Sequence, residues 1–167
     1  MIYLRNLTID DFDYLNSVEN DKSYWKYSLQ NKYYSKDELI QFIFDSQLPI
    51  EQTNQIRFVI CKSKSNERIG FIDLFDFEPL HQRAGVGLIV RERYKSKGYG
   101  SAALDLIYVY AKKYLHLHQL YAFIAIENKI SIRLFEGQGY HVTGKKKDWN
   151  FYEGRYHDEF IYQKLIE

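Results

Sequence analysis

Two glycines set the first chemical constraint in this chain. In Val90-Arg91-Glu92-Arg93-Tyr94-Lys95-Ser96-Lys97-Gly98-Tyr99-Gly100-Ser101-Ala102-Ala103-Leu104, an apolar strand end passes into a basic turn and then into small residues that open a helix. Gly98 and Gly100 take away the Cβ atoms that would hold a ligand off the backbone, and Lys95 and Lys97 add positive charge. The first amides of a helix have no intrahelical acceptor and carry the positive end of its dipole. Such a turn is built for a phosphate or pyrophosphate.

Other chemistry is sparse. A nucleotide-hydrolysing loop needs Gly-x-x-x-x-Gly-Lys-Ser/Thr, which does not occur. Gly98-x-Gly100-x-x-Ala103 formally fits a dinucleotide fingerprint, with Glu127 at the distance of a ribose-binding acid, and so keeps a nicotinamide-dependent oxidoreductase as a minor alternative. Against it, seven mostly polar residues separate Val90 from Gly98, where that fold turns tightly, and antiparallel strands precede the motif. His81, His116, His118, His141 and His157 have no ligand-like spacing, so no metal is expected. Cys61, the single cysteine, lies in an apolar strand and reads as a buried side chain.

Composition agrees with a local anion site. Lys and Arg number 23 against 22 Asp and Glu, so no global field draws in nucleic acid or acidic membrane. One cysteine excludes a disulfide framework and suits a reducing compartment. The N-terminus turns polar too early for a signal peptide, and no apolar run is long enough to span a bilayer. A cytoplasmic protein of one domain, residues 1–167, is expected. The 16 Tyr and 11 Phe suit a core, a ligand groove or an oligomer contact, which leaves a homo-oligomer open.

The elements that must position the loop follow from pattern. Residues 2–5 read as a strand. Thr8 with Asp11, and Ser35 with Glu38, form capping-box signals for two amphipathic helices, the first turning Phe12, Leu15 and Val18 inward. Asn20 to Tyr34, with Trp25 and four tyrosines, has no period and reads as a loop over a groove. Ile56 to Cys61, Arg68 to Phe75 and Arg83 to Val90 read as antiparallel strands. A helix then runs to about Leu115. Leu120 to Ile126 is nearly all apolar, as for a strand covered on both faces. A short helix from Asn128 to Gly137 and two strands, Tyr140 to Thr143 and Glu159 to Leu165, finish the chain. The order makes an α/β (α+β) domain around one mixed sheet.

Lys95-Ser96-Lys97-Gly98-Tyr99-Gly100 resembles the Gln/Arg-x-x-Gly-x-Gly/Ala signature of the GCN5-related N-acetyltransferases, with lysine in the first place. Ile69-Gly70-Phe71-Ile72-Asp73-Leu74 resembles the family's strand before the cofactor strand. Asn128-x-x-Ser131-x-x-Leu134-Phe135-Glu136-x-x-Gly139-Tyr140 resembles its second cofactor motif. Gly154-Arg155-Tyr156-x-Asp158 is similar to the tail of the ribosomal-protein and spermidine acetyltransferase branches. The resemblance spans essentially the whole chain. It implies a mostly antiparallel sheet that splays between two strands, with acetyl-CoA as co-substrate. By that resemblance Leu88, Ile89 and Val90 bond the pantetheine, Lys95, Ser96, Lys97, Gly98, Tyr99, Gly100 and Ser101 hold the pyrophosphate, Asn128 meets the pantetheine arm, and Ser131 to Phe135 line the thioester end. Asn128 equally reads as a helix cap.

The implied reaction is acetyl transfer to a primary amine, whether of a small molecule, a polyamine or a peptide N-terminus, by direct attack in a ternary complex. Amines near pKa 10.4 must lose a proton first, and Asp73 and Asp76, at or just past a strand end, are the candidate bases. Backbone amides near Val90 would stabilise the oxyanion. The tyrosine that protonates the thiolate in much of the family is Phe135 here. Water or Tyr140 would have to serve, or else the chain is a weak or inactive CoA-binding regulator. The stretch Trp25-Lys26-Tyr27-Ser28-Leu29-Gln30-Asn31-Lys32 is neutral to basic where polyamine enzymes are acidic, and glycine replaces a glutamate within Arg83-Ala84-Gly85-Val86-Gly87, so the acceptor stays open.

Overall fold

A computed structural model describes residues 1–28, 30 and 32–167. Leu29 and Asn31, both within the stretch read as a groove-covering loop, lie outside the described residues. The elements run β1 (Ile2–Asn6), α1 (Phe12–Glu19), α2 (Trp25–Ser28), α3 (Lys36–Asp45), α4 (Ile50–Thr53), β2 (Ile56–Lys62), β3 (Arg68–Glu78) and β4 (Arg83–Val90). They continue as α5 (Tyr99–Tyr114), β5 (Gln119–Ala125), α6 (Lys129–Gly137), β6 (His141–Tyr152) and β7 (Arg155–Leu165). The strands form one sheet in the order β1-β2-β3-β4-β5-β7-β6.

Every described neighbour pair is antiparallel except β4 with β5, which are parallel and joined through α5. Helices cover both faces. Leu15, Val18, Leu39 and Ile43 from α1 and α3 pack with Val59, Cys61 and Phe71 on one side. Ala103, Leu104, Ile107 and Ala111 of α5 pack with Ile72, Leu74, Val86, Ala122 and Ile124 on the other. Among the described residues, no helix is long and apolar enough to cross a membrane.

Both capping boxes form. Asp11 does more than cap: its carboxylate is fully buried and receives Arg5 at 2.7 and 2.8 Å and Arg68 at 2.6 Å, tying the helix start to β1 and β3. Those bonds hold the Asp11 carboxyl well below the usual carboxylate range despite burial, which acts the other way.

Three expectations change. The stretch after Asn20 is not all loop, since Lys22–Tyr24 and α2 wind into single turns. The last two strands are far longer than their apolar cores, because the hairpin zips on through polar residues to Tyr152 and Arg155. The nearly all-apolar β5 is covered on only one face along part of its length: Leu120, Ala122 and Ile124 are buried, whereas Phe123 stays 42% exposed.

Candidate active site

The parallel pairing of β4 and β5 extends only through Arg83–Gln119, Ala84–Leu120 and Gly85–Tyr121. Beyond Gly85 the two strands part. β4 stays paired to β3 as far as Val90, and β5 to β7 as far as Ala125, so each keeps one unpaired edge toward the gap. Those backbone groups need partners, and an extended amide-bearing chain laid in the gap supplies them.

The glycine loop closes the end of the gap. A cleft of about 250 Å³ is lined by Val90, Tyr94, Lys95, Ser96, Gly98, Gly100, Ser101, Ile130, Arg133 and Leu134. Gly98 caps α5 with φ +81°, and Ser96 also adopts a left-handed φ of +58°. These turns aim the first amides of α5 outward, since the first bond back to the cap comes from Ala102 at 3.1 Å. Gly98 is required by its backbone, not by crowding, for a Cβ there would meet open space. Gly100 works otherwise than expected: its Cβ would sit 3.0 Å from Leu134 Cδ2, so glycine there lets α5 and α6 approach.

Of the expected cofactor residues, Val90, Lys95, Ser96, Gly98, Gly100 and Ser101 meet in this cleft. Lys95 is also paired with Glu92 at 2.6 Å, and the Lys97 ammonium turns back to the Arg93 carbonyl at 2.7 Å. Leu88 and Ile89 pack on opposite faces of β4, and Tyr99 joins the core on the α5 side. Asn128 caps α6, its Oδ1 accepting the Ser131 amide at 3.2 Å. Tyr94 and Ile130 were not expected at the cleft, whereas Arg133 and Leu134, within the Ser131 to Phe135 stretch expected at the thioester end, line it beside the glycine loop. Ile130, Arg133 and Leu134 share one helical face, and that i, i+3, i+4 spacing was the available signal.

The candidate proton carriers lie apart. Asp73 and Asp76 are inside β3, not past its end, because the strand continues to Glu78. Asp73 takes a two-pronged bond from Arg57 at 2.7 and 2.6 Å, and Arg57 also binds Glu19. Asp76 sits exposed with φ +47° where β3 slips its register with β4. Tyr140 is 1% exposed, packs edge-to-face on Phe135 at 4.9 Å, and its buried hydroxyl has no partner among the described residues. Burial pushes that phenol well above its ordinary value. Phe135 is likewise in the core, so Tyr140 stands behind it and not on the cleft wall.

Glu127, the acid of the dinucleotide reading, is instead bonded to His157 Nδ1 at 2.8 Å, which holds it below the usual carboxylate range. With antiparallel strands before the glycine loop, that reading has no support here.

Residues 2–141 match the family model described as an Acetyltransferase (GNAT) domain. The chain is 27% identical over 172 residues to spermidine N(1)-acetyltransferase of Escherichia coli K12, covering 99% of this chain and 89% of that protein. The crystal structure of spermidine N-acetyltransferase from Vibrio cholerae in complex with CoA and spermine superposes with a TM-score of 0.90 at 25% identity, covering 99% of this chain and 95% of that one. A dodecameric structure of the Vibrio enzyme gives a TM-score of 0.82 at 25% identity, covering 98% and 93%.

Proposed function

This chain belongs to the GNAT acetyltransferase family, and on that premise we propose that its acceptor is a primary amine of the polyamine class. It is an acetyl-CoA-dependent N-acetyltransferase. The observation that carries the reading is the parting of β4 from β5 after Gly85, running directly into the Gly98 anion cradle.

In this reading the pyrophosphate rests on the α5 amides beside Lys95 and Arg133, and the pantetheine pairs with the free edges of β4 and β5. Amides near Val90 receive the developing oxyanion, where fixed dipoles cost no reorganisation. The acceptor amine approaches from the face bearing Asp73 and gives its proton to a carboxylate through water, with Asp73 held in place by Arg57. No residue of the chain is acetylated. The thiolate leaves as a fair leaving group at neutral pH, since thiols titrate near 8.5, and takes its proton from solvent in the open cleft.

The Escherichia coli and Vibrio relatives, named for spermidine, support a polyamine acceptor over a peptide N-terminus. The dodecameric Vibrio structure likewise supports a homo-oligomer, which light scattering tests. The buried, unpaired Cys61 fits a cytoplasmic location. The experiment is an acceptor screen for thiol release with spermidine, simple monoamines and peptides bearing free N-termini. Turnover of spermidine is expected, and turnover of peptides alone overturns the polyamine assignment.

A further inference from the structure

Lys146 faces Glu159 across the β6–β7 ladder, and the register slips immediately after it, between Lys146 and Asn150. Asp148 takes up the slip with φ +49°, its amide fixed to Asp158 Oδ1 at 2.8 Å. The bulge brings Trp149 over the Lys146 side chain. The Lys146 ammonium therefore lies 3.8 Å from the centroid of Phe123, 4.5 Å from that of Trp149, and 2.9 Å from Glu159 Oε1. Glu159 is 5% exposed, and its other oxygen accepts from the Asn150 side-chain Nδ2. The two rings remain open to solvent, at 42% for Phe123 and 58% for Trp149.

Two aromatic faces above a buried carboxylate make a receptor for an alkylammonium ion. Here the protein's own lysine occupies it. The receptor is continuous with the acceptor side of the site. Phe123 touches Tyr121 at 5.4 Å and Phe75 at 6.4 Å between centroids. Phe75 in turn covers Gly85, where a Cβ would fall 2.3 Å from its Cζ. An aromatic floor thus leads from the parting of β4 and β5 to the Lys146 ammonium, which reaches back over Phe123 from β6, two strand spacings or roughly 10 Å from β5.

We propose that Phe123, Trp149 and Glu159 form a seat for the second ammonium group of a di- or polyamine acceptor, and that Lys146 is the internal cation which this group displaces. The proposal rests on the amine-transfer reading above. A monoamine leaves Lys146 in its seat, whereas a diamine exchanges one primary ammonium for another. Lys146 swings past the exposed edge of Trp149 into water, where its charge is fully solvated. The seat lies away from the reacting atoms and acts on binding.

Lys146→Met keeps most of the stem and removes the competing charge. The readout is the ratio of KM for spermidine to KM for butylamine, measured by thiol release. The ratio is expected to fall about tenfold, the scale of a partly desolvated cation–ring contact. Trp149→Ala in the Lys146→Met background brings it back up, and an unchanged or higher ratio in Lys146→Met overturns the seat. Lys146→Gln, whose amide still donates to Glu159, carries the same test if the methionine variant does not fold. Calorimetric titration with spermidine alone separates the two levels. Tighter binding to Lys146→Met with no thiol release from any amine in any variant sinks the transferase reading and keeps the seat. Release with spermidine by the unsubstituted protein, with no tightening in either variant, sinks the seat and keeps the transferase.

Discussion

A methyl group at Gly100 would stand 3.0 Å from Leu134 Cδ2 and 3.4 Å from Leu88 Cδ2, so the start of α5 is pressed directly onto α6 and β4. The two glycines of the loop therefore fail differently when enlarged. Gly100→Ala pushes Leu134, a cleft-lining side chain, and raises KM for acetyl-CoA several-fold. Gly98→Ala meets no obstacle but forces an L-residue into a left-handed φ, costing about 1 kcal/mol of stability. Thermal melts alongside acetyl-CoA saturation curves separate these effects, and equal behaviour of the two variants contradicts the assignment.

Arg57 holds Asp73 and Glu19 together with its side chain only 13% exposed. Arg57→Ala leaves two carboxylates facing each other without their cation. A loss of about 3 kcal/mol is expected, as for removing one partner of a buried pair. Urea denaturation checks this, and a loss below about 0.5 kcal/mol, the scale of an exposed pair, refutes it.

Acid stability turns on Asp11. An unfolded aspartate takes its proton near 3.9, whereas in the fold Arg5 and Arg68 hold Asp11 ionised to lower pH. The stabilisation is complete at neutral pH and drains away as pH falls from roughly 4.5 toward 2. Asp11→Asn is thus much less stable than the unsubstituted protein at pH 7, and the gap narrows below pH 4. A gap that stays constant down to pH 2.5 contradicts this linkage.

Much of this architecture is legible in the residues. The Thr8–Asp11 and Ser35–Glu38 boxes, the period of Ala103, Ile107 and Ala111, and the order of strands around the glycine loop each have a local cause that the fold keeps. What escaped reading is assembled across elements. Asp11 reads as a cap, and nothing nearby in sequence announces Arg68, which lies 57 positions away. Phe123 sits in a run that reads as buried, yet its ring is roofed by Lys146 from β6. Lys145 to Asn150 have no strand-like alternation, so neither the long hairpin nor its bulge could be seen. Gly85 gives no sign in the sequence of what lies against it, and only the fold reveals Phe75 filling the space that a Cβ would need.

Tyr140 keeps a buried hydroxyl with no partner among the described residues, which burial makes costly. Tyr140→Phe removes that cost and is expected to gain about 1 kcal/mol, with kcat changed less than about twofold. A general acid would instead account for roughly 10² to 10⁴ in rate. A fall in kcat of that size would return Tyr140 to the reaction as the group that protonates the departing thiolate.

The activity proposed for the gap between β4 and β5 is transfer of acetyl groups from acetyl-CoA to a polyamine. Its most direct test follows thiol release from acetyl-CoA with and without spermidine, together with the mass of the recovered amine. Release that requires spermidine and yields spermidine heavier by one acetyl group is the predicted result. Binding of acetyl-CoA with no release above the amine-free rate, for spermidine or any other primary amine, contradicts it.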